Sequence, residues 1–204
     1  MRTIKDSSDE LNPTAGATSD NFQSLQRIRS PIDSVALAIA TCGVGYMPIA
    51  PGTWGSAIGV GVYLLFRVVS LRIFTSAESA GWSLTPLDAF RTTFILLILI
   101  ALTIVGIWAA TRAEPLLGRK DPGPVVIDEV VGQLITFVFV PLNIGMGGVM
   151  LGFLLFRFFD IWKPYPIRRL ESLESGLGVV ADDIVAGVYA ATTMSLLTSL
   201  YLLF

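Results

Sequence analysis

The stretch from Thr92 to Ala110, TTFILLILIALTIVGIWAA, decides the fold of this chain. Its nineteen residues contain no charged side chain, and about 20 apolar residues in a helix are long enough to cross the hydrocarbon core of a bilayer. Inside lipid, only helices and closed barrels satisfy their backbone hydrogen bonds internally, and a continuous apolar run of this length is typical of a helix. We therefore predict a helical membrane protein.

The composition agrees with that prediction. Of the 204 residues, 53% are hydrophobic and 15% are charged, which is too apolar for an ordinary soluble domain. The chain has no histidine, which excludes a Ser-His-Asp triad and any histidine-ligated metal. Its single cysteine, Cys42, excludes a disulfide framework and a thiolate zinc site within one chain. No basic stripe indicates a nucleic-acid partner.

Other apolar segments lie on both sides of this span. Ser34 to Thr41 is too short to cross a bilayer and is predicted to be a surface or re-entrant helix. Ser56 to Leu71 is a candidate first span, and Ile184 to Phe204 is a candidate last span. Val130 to Phe156 is also uncharged, but a proline, an asparagine and three glycines interrupt it between 141 and 148. That stretch is either a broken helix or a tight helical hairpin.

The predicted fold class is all-α, a multi-pass helical membrane protein. We expect about four membrane-associated helical segments plus short re-entrant or interfacial helices. Residues 1–30 are polar and lack the apolar core of a signal peptide, so they are predicted to be a disordered cytosolic tail. Residues 31–204 then form the membrane domain.

Basic residues predict the orientation. If 1–55, 111–129 and 157–183 share one side, that side holds eleven of the fourteen Lys and Arg, and the other three lie at or in an opposite loop at 72–91. Cytosolic loops are enriched in Lys and Arg, so the shared side is predicted to face the cytosol. This arrangement requires a hairpin at 130–156, and it collects the polar motifs on one face.

Five carboxylates stand at the edges of the apolar runs on that face. Such placement is costly, which indicates that the carboxylates have a use, and in a histidine-free chain that use is to hold a hard divalent cation through oxygen ligands. The alternative is that the two adjacent pairs cap helix starts, where the macrodipole favours acidic side chains. Gln133 lies one turn beyond Glu129 and can share its face. The five are Asp128, Glu129, Asp160, Asp182 and Asp183.

Two further motifs suit an anionic group. Pro51-Gly52-Thr53 ends a loop rich in glycine and proline, and free backbone N–H groups at a helix start suit a phosphate; the alternative is a plain turn with Thr53 as the N-cap. Arg157 and Asp160 can pair at i,i+3, and Lys163 precedes a proline that ends the helix. Lys163, Arg168 and Arg169 can meet an anion, although the two arginines also fit a generic positive-inside cluster.

Together these motifs resemble the phosphatidylglycerophosphatase A family of bacterial membrane phosphatases. The resemblance extends from about residue 40 to the C-terminus, in the order of the family, and leaves out the tail and 72–91. The matching pieces are Pro51-Gly52-Thr53 with its flanking glycines, 127–132, 156–168, and 176–178 leading into 182–187.

The resemblance implies Mg²⁺-dependent hydrolysis of phosphatidylglycerophosphate to phosphatidylglycerol and phosphate, the last step of phosphatidylglycerol biosynthesis. The site would face the cytosol at the bacterial cytoplasmic (inner) membrane, with a phospholipid as substrate. The residues expected to act are then assigned as follows: Asp128, Glu129, Asp160, Asp182 and Asp183 as metal ligands; Asp128, Glu129, Asp160, Lys163, Arg157 and Arg168 in catalysis; Pro51, Gly52 and Thr53 in binding the phosphate or headgroup.

Two other classes compete with this interpretation. Carboxylates at helix ends beside a broken helix also describe a carboxylate-lined cation transporter or channel, but a transporter places its charges near the midplane, and here the middles of the spans are uncharged. A CDP-alcohol-type transferase also uses Asp-bound metal, but its spaced aspartate motif is absent.

Overall fold

The chain forms a helical bundle in a computed structural model that describes residues 30–170, 173 and 175–203. The described residues form seven helices and no strand, which confirms the all-α prediction. Three of these helices are long and apolar enough to cross a membrane, over Pro51–Ser79, Leu84–Leu117 and Ser175–Tyr201. The helices are α1 (Pro31–Thr41), α2 (Pro51–Ser79), α3 (Leu84–Leu117), α4 (Ile127–Thr136), α5 (Met146–Trp162), α6 (Ile167–Leu170) and α7 (Ser175–Leu203).

The predicted tail lies outside the described residues except for Ser30, which caps α1. The Ser30 hydroxyl accepts a hydrogen bond from the Asp33 backbone N–H, and the Asp33 carboxylate accepts one from the Ser30 N–H. This reciprocal capping box fixes the start of the helix. Arg112 of α3 donates to Asp33 at 2.7 Å, so α1 is anchored to the end of a spanning helix, and it is short as predicted.

The stretch 130–156 is a helical hairpin. α4 and α5 contain 10 and 17 residues, so each is shorter than a span needs. They run antiparallel: a Cβ on Gly132 would lie 2.5 Å from a Phe156 ring carbon, and a Cβ on Gly152 would collide with the Phe137 ring. Of the two predicted forms, the hairpin is therefore the observed one.

Close backbone contacts place α4 between α2 and α7. A Cβ on Gly59 of α2 would lie 2.8 Å from the Gln133 Cβ, and a Cβ on Gly187 of α7 would collide with the Gly132 carbonyl oxygen. Small residues at such contacts let membrane helices approach each other closely. α4 is consequently held between the first three turns of α2 and the third and fourth turns of α7.

The predicted loop at 72–91 is wrong. α2 continues to Ser79 and α3 begins at Leu84, so only 80–83 connects them. The sequence prediction ended the span at Arg72, but a charge ends a membrane-embedded segment without ending the helix. At 1.5 Å per residue α2 and α3 are about 43 and 51 Å long, longer than the hydrocarbon core of about 30 Å. Each helix is therefore longer than it needs to be to cross that core.

The prediction that Asp182 and Asp183 open the last helix is also wrong. α7 begins at Ser175, so both residues lie beyond its first turn, where no orphan backbone N–H remains for them to cap. The helix starts early because its glycines serve close packing: a Cβ on Gly176 would lie 2.6 Å from the Ile107 carbonyl oxygen of α3. The capping alternative for this pair is therefore excluded.

Candidate metal and phosphate site

Three carboxylates from two helices converge at one end of the bundle. Asp128 and Glu129 lie in the first turn of α4, and Asp183 lies on α7. One carboxylate oxygen from each lies within 4.8 Å of the other two. Asp128 and Asp183 are buried, at 7% and 4% exposure. We call Asp128, Glu129 and Asp183 the carboxylate triad.

The backbone contacts of α4 explain why the triad forms. Gly132 has no side chain, and a Cβ there would lie 2.6 Å from the Asp183 carbonyl oxygen. The approach of α4 to α7 at this level brings Asp128, one turn earlier, to the height of Asp183. Successive residues on a helix diverge by about 100°, so Glu129 turns instead toward α2.

The other two predicted metal ligands are engaged with cations. Arg157 Nη1 lies 2.5 Å from Asp160 Oδ2, as the i,i+3 spacing predicted. Lys163 Nζ lies 2.8 Å from Asp182 Oδ2. Asp160 is still close to the triad, because it lies within hydrogen-bonding reach of Asp183. The structure thus brings all five carboxylates to one end of the bundle and separates them into a triad and two ion pairs.

The α4 carboxyl groups are placed where negative charge is unfavourable. Burial raises the pKa of Asp128 well above its usual range, and the charges of Glu129 and Asp183 raise that pKa further. Burial also raises the pKa of Glu129. Among the described residues, Asp128 Oδ1 and Glu129 Oε2 are buried without a hydrogen-bond partner. Buried acceptors of this kind call for a partner, and a cation is the partner that suits several of them together.

The triad fits a hard divalent cation. Mg²⁺ and Ca²⁺ bind carboxylate oxygens at about 2.0–2.6 Å, so two ligands on opposite sides of one ion lie about 4–5 Å apart. The triad oxygens meet that spacing. Carboxylate oxygens are ligands that suit Mg²⁺, Ca²⁺ and Mn²⁺.

The Pro51-Gly52-Thr53 motif forms the first turn of α2 beside Glu129. A Cβ on Gly52 would collide with Glu129 Oε1 and lie 3.2 Å from Arg157 Nη1. The N-cap is Ala50, with φ 47° and no side-chain cap bond, so the alternative of Thr53 as N-cap is wrong. Gly52 lets the helix start approach the triad.

A basic pocket of about 460 Å³ lies beside this end of α5. Lys163, Arg168 and Arg169 contribute its positive charge, and the guanidinium of Arg169 lies over the Tyr165 ring, 5.0 Å from its centroid. Lys163 links the pocket to Asp182. Arg168 lies in this pocket rather than at the triad, whereas Arg157 lies next to Glu129 and Gly52.

The buried environment of Gln133 could not be predicted from the sequence. Its position on the face of Glu129 followed from helical spacing, but its complete burial did not. Both of its amide atoms lack a hydrogen-bond partner among the described residues. The only signal in the sequence was a glutamine one turn beyond the acidic pair, flanked by apolar residues and Gly132.

The chain matches one protein family over most of its length. The family model described as Phosphatidylglycerophosphatase A matches residues 37–198. A Haemophilus influenzae protein named Phosphatidylglycerophosphatase A is 34% identical over 165 residues, covering 79% of this chain and 86% of that protein. The Escherichia coli protein of the same name is 31% identical over 150 residues, covering 73% and 74%.

A third relative carries a different name. A Bacteroides thetaiotaomicron protein, provisionally named as a phosphatidylinositol-3-phosphatase, is 37% identical over 153 residues, covering 72% of this chain and 83% of that protein. No solved structure is significantly similar to the chain.

Proposed function

The chain belongs to the phosphatidylglycerophosphatase A family, and on that premise we propose that it hydrolyses phosphatidylglycerophosphate to phosphatidylglycerol and inorganic phosphate. The observation that carries the proposal is the carboxylate triad: Glu129 lies next to Arg157, and Asp183 is the neighbour of Asp182, which pairs with Lys163 of the basic pocket. This combination suits a metal-dependent reaction on a phosphate monoester. The three spanning helices would keep a lipid substrate beside the site.

We propose that Asp128, Glu129 and Asp183 hold Mg²⁺. Bound there, the ion would draw negative charge from the phosphoryl oxygens and lower the pKa of an attacking water. Asp160 and Asp182 would border that site, and they are held in place by Arg157 and Lys163. The roles of all five carboxylates remain predictions.

The basic side chains would bind the phosphoryl group. Arg157 lies next to both Gly52 and Glu129, so its guanidinium can donate to a phosphate that reaches the triad. Lys163 and Arg168 line the adjacent basic pocket. Fixed cations in a partly dehydrated site stabilise charge that develops in the transition state. Pro51, Gly52 and Thr53 would present the start of α2 to the headgroup.

The chemical step conserves atoms and charge. The water oxygen forms a bond to phosphorus, the bond from phosphorus to the glycerol oxygen breaks, and the proton that water gives up to a carboxylate is passed on to the glycerol oxygen as the alcohol leaves. We assign acceptance of the proton from water to Asp160, because it borders Asp183 without belonging to the triad. Proton transfer to such a positioned carboxylate contributes about 10²–10⁴-fold to a rate.

We further propose that the site faces the cytosol at a bacterial cytoplasmic membrane. The basic residues of the site end support this orientation through the positive-inside rule. The relatives are bacterial, and a lipid product of this reaction stays in the membrane in which it forms.

The test is phosphate release from phosphatidylglycerophosphate in detergent micelles, with Mg²⁺ and with EDTA. We expect wild type to release phosphate only with Mg²⁺, Asp128→Asn to lose that activity, and the control Glu78→Gln, an exposed carboxylate far along α2, to retain it. Phosphatidylinositol 3-phosphate is assayed in parallel, because one relative is named for it. Well-folded wild type that releases no phosphate from phosphatidylglycerophosphate, or more from the inositol lipid, would overturn the substrate assignment.

A further inference from the structure

Gln133 is a fully buried amide close to the triad. It is 0% exposed, and neither its Nε2 nor its Oε1 has a hydrogen-bond partner among the described residues. A glutamine side chain offers two donor hydrogens and one acceptor oxygen. Leaving both ends unpaired in an apolar environment is unfavourable, so packing alone does not explain a glutamine here.

The unpaired amide shares a helix face with an unpaired carboxylate oxygen. Gln133 follows Glu129 by four residues on α4, and side chains at that spacing are neighbours on a helix surface, with about 5–6 Å between their Cβ atoms. Glu129 Oε2 is also buried without a partner in the described part of the chain. A donor and an acceptor that both lack partners therefore stand one turn apart on the same side of α4.

The surroundings direct Gln133 along α4 rather than into lipid. A Cβ on Gly59 of α2 would lie 2.8 Å from Gln133 Cβ and 3.0 Å from its Cγ, so α2 covers the base of the side chain. The same helix covers Glu129 one turn earlier, where a Cβ on Gly55 would lie 3.3 Å from Glu129 Cβ. Both side chains thus lie in the interface of α2 and α4, sheltered from lipid.

We propose that Gln133 is a positioning residue for the metal centre: its amide N–H donates to the free oxygen of Glu129, directly or through one buried water, and fixes the orientation of that carboxylate. The inference rests on the proposed function, because it needs the triad to hold a cation. Partners of this kind around metal ligands are worth about 10–100-fold in metal affinity or activity.

An uncharged amide suits this position better than an ionisable group. A glutamate would add another negative charge below two buried carboxyl groups of α4, and a lysine would compete with the cation for Glu129. An amide donates a hydrogen bond without changing the net charge of the site. Its free Oε1 can accept a hydrogen bond from the same water.

The test is an Mg²⁺ titration of purified wild type, Gln133→Leu and Gln133→Met, read by thermal unfolding as well as by phosphate release. A ligand that binds only the folded state raises the unfolding midpoint by an amount that grows with the ratio of its concentration to its Kd, so this reading is independent of catalysis. We expect both variants to fold without metal at least as stably as wild type, and to need about tenfold more Mg²⁺ for the same shift of the unfolding midpoint and for half-maximal phosphate release.

Thr136→Val is the matched control. Thr136 lies on the same helix and is equally buried, but its hydroxyl already donates to the Gly132 carbonyl at 3.1 Å. Its Mg²⁺ dependence should equal that of wild type. Equal Mg²⁺ dependence of wild type and both Gln133 variants would overturn this inference alone. No response of wild type to Mg²⁺ would overturn the proposed function and this inference with it. If both variants fail to fold while the control folds, the amide belongs to the fold and the inference is wrong.

Discussion

The ion pair between Lys163 and Asp182 separates the roles of two adjacent aspartates. Lys163 Nζ is 2.8 Å from Asp182, while the neighbouring Asp183 joins the triad. The two side chains diverge because consecutive residues on a helix point about 100° apart. Asp182 is thereby matched by a cation of the chain, and Asp183 is left to bind the divalent ion that we propose.

Replacing these two aspartates in turn should give different losses. Asp183→Asn removes a proposed metal ligand, and a bound metal supplies several kcal/mol of transition-state stabilisation, so we expect activity to fall by more than about 10³-fold at 1.4 kcal/mol per tenfold. Asp182→Asn only releases Lys163, and we expect a loss of about 10–100-fold. Steady-state phosphate release at saturating Mg²⁺ measures both. Equal losses in the two variants would contradict the division into triad and ion pair.

At the scale of elements, the short helix α4 organises the site. It carries two triad residues and Gln133, and it is held by the glycine contacts to α2 and α7. Its length of 10 residues is too short to span a bilayer. Its first turn lies at the same end of the bundle as the starts of α2 and α7. The geometry of the triad therefore depends on backbone distances between helices.

A pair of alanine substitutions in α2 tests this dependence. Gly59→Ala would force α2 away from Gln133, and overpacking typically costs about 1–3 kcal/mol, so we expect a lower unfolding midpoint and reduced activity. Gly61→Ala on the same helix meets nothing within 4 Å and should be neutral or slightly stabilising, since alanine is the better helix former. Thermal unfolding in one detergent compares the two. A Gly59→Ala protein as stable and active as Gly61→Ala would show that the contact is not required.

The class of fold could be predicted from the sequence, but helix ends and contacts between helices could not. The run from Thr92 to Ala110 signals a membrane helix through hydropathy alone, and the Pro/Gly centre of 130–156 permitted the hairpin that is observed. Arg72 marked the end of an apolar segment and not of a helix. Gly176 lies before the predicted last span of 184–204, yet it belongs to the last helix and packs closely against α3. The pairing of Lys163 with Asp182 joins residues from different helical regions, which local pattern does not specify.

At the scale of the whole molecule, the polar motifs gather at one end of the bundle and leave arginines at the other. Arg67 donates to the Leu142 carbonyl of the hairpin turn at 2.7 Å, and Arg91 pairs with Asp88 at 2.8 Å. The site end carries the triad, both of its bordering ion pairs and the basic pocket. The proposed orientation depends on this difference between the two ends of the bundle.

Cysteine labelling tests the proposed orientation, because the chain has a single cysteine to replace. In a Cys42→Ser background, Trp82→Cys lies in the turn between α2 and α3, and Tyr46→Cys lies before α2; the native side chains are 71% and 59% exposed. In intact spheroplasts, a membrane-impermeant maleimide should label position 82, and should label position 46 only after lysis. The reverse pattern would place the site outside the cytosol.

The central claim is that Asp128, Glu129 and Asp183 hold a divalent cation, and direct cation binding tests it most closely. Mn²⁺ takes the same oxygen ligands as Mg²⁺ and reports its free and bound forms by electron paramagnetic resonance. We predict saturable Mn²⁺ binding to purified wild type that Mg²⁺ displaces and that Asp128→Asn lowers by at least about tenfold, with Glu78→Gln unchanged. Mn²⁺ binding of the same affinity in wild type and Asp128→Asn would contradict the account.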